Sequence, residues 1–411
     1  MYSVKITTVA IIIQLVIAGL AFVLNAFVFV RFGSKLYYSV GLISGILLAA
    51  NYFEFGVIAK IRYLAAMTTE GDVLGLSDEF ISLAKKIFIS MLSVAIIYFA
   101  IVYFYSNADS DFQVVGPVAA ISPFVILINA VRGFYEGRGD VIKAALIRGI
   151  NGLLPPISIV LSLYINGSLK SAWFILFFGF VSIIIAHNNL FRLKSSVAFK
   201  AQDANYNINN NKLLIRIGLT ESIITVCGVF FLYADRFLLS VVDVSKSEAG
   251  VYVFLLEIYL RYSLIYVPLA AGVYKKIAKV INRRQNYVFK RVLVISSQIK
   301  YKMFWMSVLF VPFVVGWFGY VNKSESISKI ILISLLLSIG VSFQAGNYLM
   351  QRFLSFTRYE FKTIVVGYAV VMLFYITLFF VLSNCFSIVG VAGAFCMRAI
   401  VENLMYKKYF S

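Results

Sequence analysis

The sequence predicts an all-α polytopic membrane protein with about twelve transmembrane helices and both termini in the cytoplasm. Two observations carry that prediction. The chain of 411 residues is 61% hydrophobic and only 13% charged, where a soluble domain carries about 25% charged residues, and its mean hydropathy is +0.91. Its basic residues also gather in alternate connecting segments. A spanning helix needs roughly 20 mostly apolar residues. Runs of that kind lie at about 6–30, 36–59, 87–105, 113–131, 142–165, 171–191, 214–240, 250–273, 303–321, 328–350, 363–383 and 387–406. The first is too long, and lacks a small-residue cleavage site, to read as a removed signal peptide; it is expected to stay as the first span.

The net charge of +19 invites a nucleic-acid reading, so the basic residues have to be placed. With both termini inside, 28 of the 37 Lys and Arg fall in cytoplasmic segments, among them Arg62, Arg132 and Arg148. Six fall outside (Arg31, Lys35, Lys170, Lys246, Lys323 and Lys329), and Arg236, Arg261 and Arg398 fall within spans. That ratio is the positive-inside pattern. The basic balance therefore reports orientation, and no nucleic-acid partner is expected. Residues 274–302 carry nine of the inner basic residues and predict an amphipathic helix lying on anionic membrane lipids.

The spans divide six and six about a polar stretch at 192–213, which reads as a cytoplasmic linker between an N-terminal bundle (1–191) and a C-terminal bundle (214–411). Many transporters are built from such repeats around a central site. Cys227 and Cys396 fall in spans and Cys385 in a short outer loop; no spacing suggests a disulfide or a metal centre, and no cofactor is expected. His187, the single histidine, reads as an interfacial polar residue. All six prolines fall in spans, and the Pro155-Pro156 pair is a candidate hinge as well as a packing irregularity.

Charges inside the membrane cost roughly 2.5–3.5 kcal/mol each on insertion scales and so mark polar interiors. The candidates are Glu54, Glu221, Asp235, Arg236, Glu257, Arg261, Arg398 and Glu402. Glu257/Arg261 and Arg398/Glu402 are spaced i, i+4, on one helix face. Each pair is either neutralised internally or contributes a cation to a water-filled cavity. Arg261 lies nearest mid-span and is the leading cavity cation, with Arg398 next. Arg236 lies near the outer face, where snorkelling is expected. Glu54 is deep in its span without a local partner, a position that suits ion coupling; Glu257, Glu221 and Asp235 are further candidates for that role.

Four motifs are similar to those of the polysaccharide transporters in the multidrug/oligosaccharidyl-lipid/polysaccharide exporter superfamily. They are the outer turn Arg31-Phe32-Gly33-Ser34-Lys35, the run Phe53-Glu54-Phe55-Gly56 ending at Lys60 and Arg62, the pair Asp235-Arg236 followed by Gly250-Val251-Tyr252, and the small-residue run Gly390-Val391-Ala392-Gly393-Ala394. The glutamate of the second motif stands two residues before the glycine, where the family pattern places its acid next to it. Within the superfamily the chain most resembles the Wzx-type O-antigen flippases. The resemblance implies a MATE-like fold and translocation of an undecaprenyl-diphosphate-linked oligosaccharide across the bacterial inner membrane, with Arg261, Arg398, Arg236 and Arg31 facing the substrate. It also implies a polymerase and a chain-length regulator of the same pathway as partners. The competing expectations are a MATE-like antiporter, a membrane enzyme such as a polymerase, and a scaffold. The enzyme reading expects a sizeable outer loop, which the sequence lacks, and the chain is read as a non-enzyme.

Overall fold

The computed structural model describes residues 2–50, 57–67, 112–187, 208–263, 285–321, 326–354 and 361–410, with isolated positions 88, 89, 92 and 268. The regular structure among them is helical: α1 (Tyr2–Phe32), α2 (Ser34–Ala50), α3 (Val57–Met67), α4 (Phe112–Ile121), α5 (Phe124–Arg138), α6 (Val141–Asn166), a short 3-10 turn (Leu169–Ser171), α7 (Ala172–Ala186), α8 (Ile208–Leu238), α9 (Lys246–Ser263), α10 (Gln285–Val321), α11 (Ile327–Leu354) and α12 (Phe361–Phe410). Eight helical stretches among the described residues are long and apolar enough to cross a membrane. In hydrocarbon a helix satisfies its own backbone hydrogen bonds, which is why apolar runs of this length take that form. The chain is a multi-pass α-helical membrane protein. The span expected at 87–105, most of the linker at 192–213, Glu54 and the stretch 274–284 lie outside the described residues.

Several boundaries differ from the expected ones for identifiable reasons. The span expected at 113–131 is broken between α4 and α5 at Ser122 and Pro123. Proline has no N–H to give, and the chain crosses the break with Val125 N–H donating to Ser122 O at 3.0 Å and Ile126 N–H to Pro123 O at 3.0 Å. The helix then runs on to Arg138, past the expected end at 131. The Pro155-Pro156 pair lies inside α6, which continues as one helix from Val141 to Asn166. The expected surface helix and the ninth span meet in α10 without a break from Gln285. The last two expected spans form the 50-residue α12, whose only non-helical residue is Ser387, at φ 52° and ψ −134°. The chain reverses there: Tyr409 hydroxyl donates to Thr363 O at 3.0 Å, and Gly390 packs against the carbonyl of Leu382. The arms before and after Ser387 are therefore an antiparallel pair. Gly33, at φ 86°, makes the equally short turn between α1 and α2, a conformation that only glycine adopts without strain.

The helices pack into two compact units, each discontinuous in sequence. One comprises Met1–Ala21, Ile43–Val226 and Ala271–Asn282. In it α3 and α5 pack through Ile58, Ile61, Ala65, Ala130 and Phe134. Ala10 of α1 packs on Val141 and Ala145 of α6, and Gln14 Nε2 donates to Ala145 O at 2.6 Å. The other unit comprises Phe22–Leu42, Cys227–Ala270 and Arg283–Ser411. An aromatic core joins α1, α9 and α10 there, with Phe29 stacked on Phe254 at 4.5 Å and Phe254 on Trp317 at 5.3 Å between ring centroids. Between α10 and α11 serine hydroxyls replace bulk: Ser307, Ser338 and Ser342 are all buried and joined by hydrogen bonds. Small hydroxyl residues of this kind let helices approach closely in lipid.

Candidate functional site

Two groups of buried charge lie in the second unit. The first is assembled by the close approach of α2 and α9. A Cβ on Gly250 would collide with the carbonyl of Ser34, so only glycine lets the first turn of α9 lie against the start of α2. Two residues on, the Tyr252 hydroxyl reaches Asp235 Oδ2 at 2.5 Å, while the Arg236 N–H donates to Asp235 Oδ1 at 2.9 Å. The Asp-Arg and Gly-x-Tyr motifs are thus two sides of one contact.

Arg236 is fully buried, with Nη1 donating to Gly41 O at 2.9 Å and Nη2 lying 2.6 Å from Glu257 Oε1. Its guanidinium also sits over the Tyr233 ring, 4.5 Å from the centroid, and its carbonyl accepts the Tyr38 hydroxyl at 2.8 Å. The expected snorkelling is therefore corrected. The backbone of α2 and the Tyr38 ring cover this end of α8, and the guanidinium turns inward because Glu257 and a backbone carbonyl compensate it there. Arg261 Nε lies 3.3 Å from the other oxygen, Glu257 Oε2, and the side chain keeps 16% exposure. The i, i+4 pairing of Glu257 with Arg261 is present, but the carboxylate is shared between two guanidiniums. A buried charge is costly unless it is paired, and every member of this triad is ion-paired, with Arg261 as its most open member.

The second group joins α11 and α12. Arg398 and Glu402 are both fully buried, with Nη1 donating to Glu402 Oε2 at 2.9 Å and to Gln344 Oε1 at 2.7 Å. Glu402 also accepts from Asn347 Nδ2 at 3.3 Å, Gln351 Nε2 at 3.0 Å and the Tyr406 hydroxyl at 2.7 Å. Asn403 Nδ2 donates to Asn347 Oδ1 at 2.7 Å, extending the network along both helices. The guanidinium of Arg398 lies over the rings of Phe395 and Phe231, at 4.7 and 5.3 Å. Arg398 was expected to face a substrate. Sealed and paired, it ties helices together in this structure instead.

Of the remaining expected residues, Arg31 is exposed in the last turn of α1, where the partial negative charge of a helix C-terminus favours a cation. Glu221 lies on α8, with its side chain outside the described residues. Glu54 lies outside them altogether.

One charged group in the first unit was not foreseen. Glu136 of α5 is buried, with Oε2 2.8 Å from Arg62 Nε of α3, and Oε1 2.8 Å from Arg148 Nη2 of α6 and 3.5 Å from Arg132 Nε. The expected span ended at 131, which left Arg132 and Glu136 in a loop. Because α5 runs to Arg138, they share a helix face at i, i+4 spacing, and that spacing was the available signal.

No protein-family model matches this chain, and no curated protein sequence matches it. Solved structures do. The MATE multidrug transporter DinF-BH superposes with a TM-score of 0.68 at 13% identity, over 99% of this chain and 94% of that one. A multidrug resistance MATE family transporter of the MOP superfamily matches in its inward-facing conformation with a TM-score of 0.56 at 16% identity, over 97% and 98% of the two chains. In its outward-facing conformation the TM-score is 0.54 at 16% identity, over 99% and 95%. At these identities it is the architecture that is shared: this chain has the fold of the MATE transporters.

Proposed function

We propose that the protein is a flippase that carries an undecaprenyl-diphosphate-linked oligosaccharide from the cytoplasmic to the periplasmic leaflet by alternating access. One observation supports an anionic cargo above others. Asp235, Glu257 and Glu402, three membrane-embedded carboxylates whose side chains are described, each already accept hydrogen bonds or ion pairs from the protein's own donors. A site built to take up amphiphilic cations needs a carboxylate whose partner is the cargo. Here the partly open group is a cation, Arg261, which suits the phosphates of a lipid-linked headgroup.

On this reading the tandem bundles 1–191 and 214–411, joined through 192–213, open alternately to the two faces of a bacterial inner membrane, with both termini inside. Polar sugars and phosphates pass through the interior while the polyprenyl chain stays in hydrocarbon. A polymerase and a chain-length regulator would act on the product. The test is translocation of a lipid-linked oligosaccharide into proteoliposomes, with and without an ion gradient. Arg261→Ala is expected to abolish translocation and surface polysaccharide while leaving an inserted, stable protein; normal polysaccharide in that variant overturns the cation's role. A cation-coupled multidrug antiporter is the second reading, favoured by the multidrug transporters among the structural neighbours. Export of amphiphilic cations, without movement of the lipid-linked sugar, would select it.

A further inference from the structure

Basic residues gather at one end of the second unit, where its last helices supply no acid to meet them. The helices α10, α11 and both arms of α12 hold a single acidic residue, Glu402, and its two oxygens are taken inside the bundle. Apart from Lys329, paired with Glu248, and Arg398, their basic residues lie where α10 begins, where α11 ends, and at the two ends of α12. These ends coincide: the rings of Phe289 and Phe410 meet at 5.3 Å, and Tyr409 is bound to Thr363. Val288, Val292, Ser296 and Ile299 are buried, and Ser296 Oγ donates to Gly346 O at 2.9 Å. The first turns of α10 therefore belong to the bundle.

The other face of α10 marks a depth. Leu309 and Phe313 are exposed and apolar, and the exposed rings of Trp305 and Tyr301 meet edge-on at 6.2 Å. Rings with a polar tip collect at the membrane–water boundary. At about 1.5 Å per residue, Lys300 stands roughly 8 Å beyond Trp305, at headgroup depth, and Lys290 and Arg291 stand roughly 14–15 Å further out. Lys300 is also held in place. Its Nζ lies 3.5 Å from Asn403 Oδ1 and 4.7 Å from the centre of the Phe343 ring, and buried Asn403 is fixed in turn by Asn347. Lys407, exposed one turn beyond Asn403 on the same face of α12, is near enough for its charge to act on Lys300.

Two ammoniums set side by side repel, and an anion between them relieves both. We propose that Lys300 and Lys407 form a binding site for the phosphate of an anionic phospholipid. The rings of Tyr301 and Trp305 at the neighbouring depth favour a lipid over a free phosphate, because they offer the rest of the molecule an apolar wall. The bound headgroup joins the start of α10 to the end of α12, and the site does not depend on the cargo.

The full-length protein is reconstituted in nanodiscs of equal parts phosphatidylglycerol and phosphatidylcholine and then released into detergent. The lipids that stay bound are counted by native mass spectrometry. The wild-type protein is expected to retain phosphatidylglycerol over phosphatidylcholine. Each lysine contributes about fivefold to that preference, so Lys300→Gln combined with Lys407→Gln is expected to lower it more than about tenfold. Lys407→Gln alone, at an exposed side chain, is the variant to use should the double variant fail to fold. Lys290→Gln combined with Arg291→Gln removes the same charge beyond headgroup depth and is expected to change the preference by less than about twofold, because salt screens charge at that distance. The proposal is overturned if the wild type shows no preference, if the Lys300 and Lys407 variants keep it, or if the Lys290 and Arg291 variant loses it equally. Displacement of the lipid from the wild type by millimolar inorganic phosphate would assign a free anion and overturn the lipid.

Discussion

Glu402→Gln isolates the value of one buried charge. Glutamine keeps the length and shape of Glu402 but turns one acceptor into a donor. Each carboxylate oxygen already receives two donors: Oε2 faces Arg398 Nη1 and Asn347 Nδ2, and Oε1 faces Gln351 Nε2 and the Tyr406 hydroxyl. In either amide orientation an N–H₂ therefore points at existing donors. Arg398, with no exposed surface, loses its counter-charge and keeps Gln344 and two ring faces. Removing one partner of a buried pair costs about 3–5 kcal/mol, because the surviving ion stays desolvated. Replacing both partners relieves that cost, so Arg398→Met combined with Glu402→Gln is expected to be more stable than Glu402→Gln alone. The coupling between the two sites should reach about 2 kcal/mol. The assay is a double-mutant cycle on the purified protein in mixed micelles, followed by tryptophan fluorescence during denaturant titration. A Glu402→Gln protein within about 0.5 kcal/mol of wild type, the range of an ordinary surface change, would refute the reasoning. So would a double mutant whose loss equals the sum of the singles.

Four other perturbations are tied to single features. Gly250→Ala drives a methyl into the Ser34 carbonyl and is expected to destabilise by about 1–3 kcal/mol. Gly152→Ala, with nothing within 4 Å of the new Cβ, should be neutral or stabilising by up to about 1 kcal/mol; thermal unfolding of the two variants compares them. Ser387→Gly relieves a backbone conformation that side chains disfavour and is expected to raise stability by about 1 kcal/mol, read as a higher melting temperature. Outside the spans, the hydrogen bond from Lys329 holds the Glu248 carboxyl below the usual carboxylate range. A depressed acid stabilises the fold above its unfolded pKa and loses that contribution as pH falls through the folded one. Glu248→Gln should therefore be slightly less stable than wild type at pH 7, by under about 1 kcal/mol for so exposed a pair. The difference should vanish under acid conditions below the carboxylate range; a difference that persists there would count against the pairing.

What the sequence made legible follows from the range of the forces involved. Hydropathy over some twenty residues is a local sum, so the helical membrane class and the positions of α1, α6, α11 and both arms of α12 could be read directly. The pairs Glu257/Arg261 and Arg398/Glu402 were legible for the same reason, since i, i+4 spacing is a property of one helix. Arg236 as the third member of the Glu257 triad was not, because its partner stands 21 residues away across the α8–α9 turn and its cover comes from Tyr38 and Gly41 on α2. The Glu136 group was hidden by a different route. Its arginines fitted a statistical account of loop charge, and that account gives the side of the membrane without saying whether a guanidinium meets water or a carboxylate. The span was expected to end at 131, short of the end of the helix at Arg138, and so the one local spacing that could have shown it was assigned to a loop.

The reversal at Ser387 has a mechanical consequence. A connection one residue long has no slack, so the two arms of α12 cannot slide past each other along their axes. Tyr409 bound to Thr363 at the far end, and the hydroxyls of Tyr368 and Tyr406 bound to each other part-way along, fasten the pair again below the turn. The result is a two-pronged fork, stiff along its length, with Arg398 and Glu402 mounted on one prong. Because Arg398 and Glu402 stand one helical turn apart on that prong, a displacement of the fork as a whole would move both charges together.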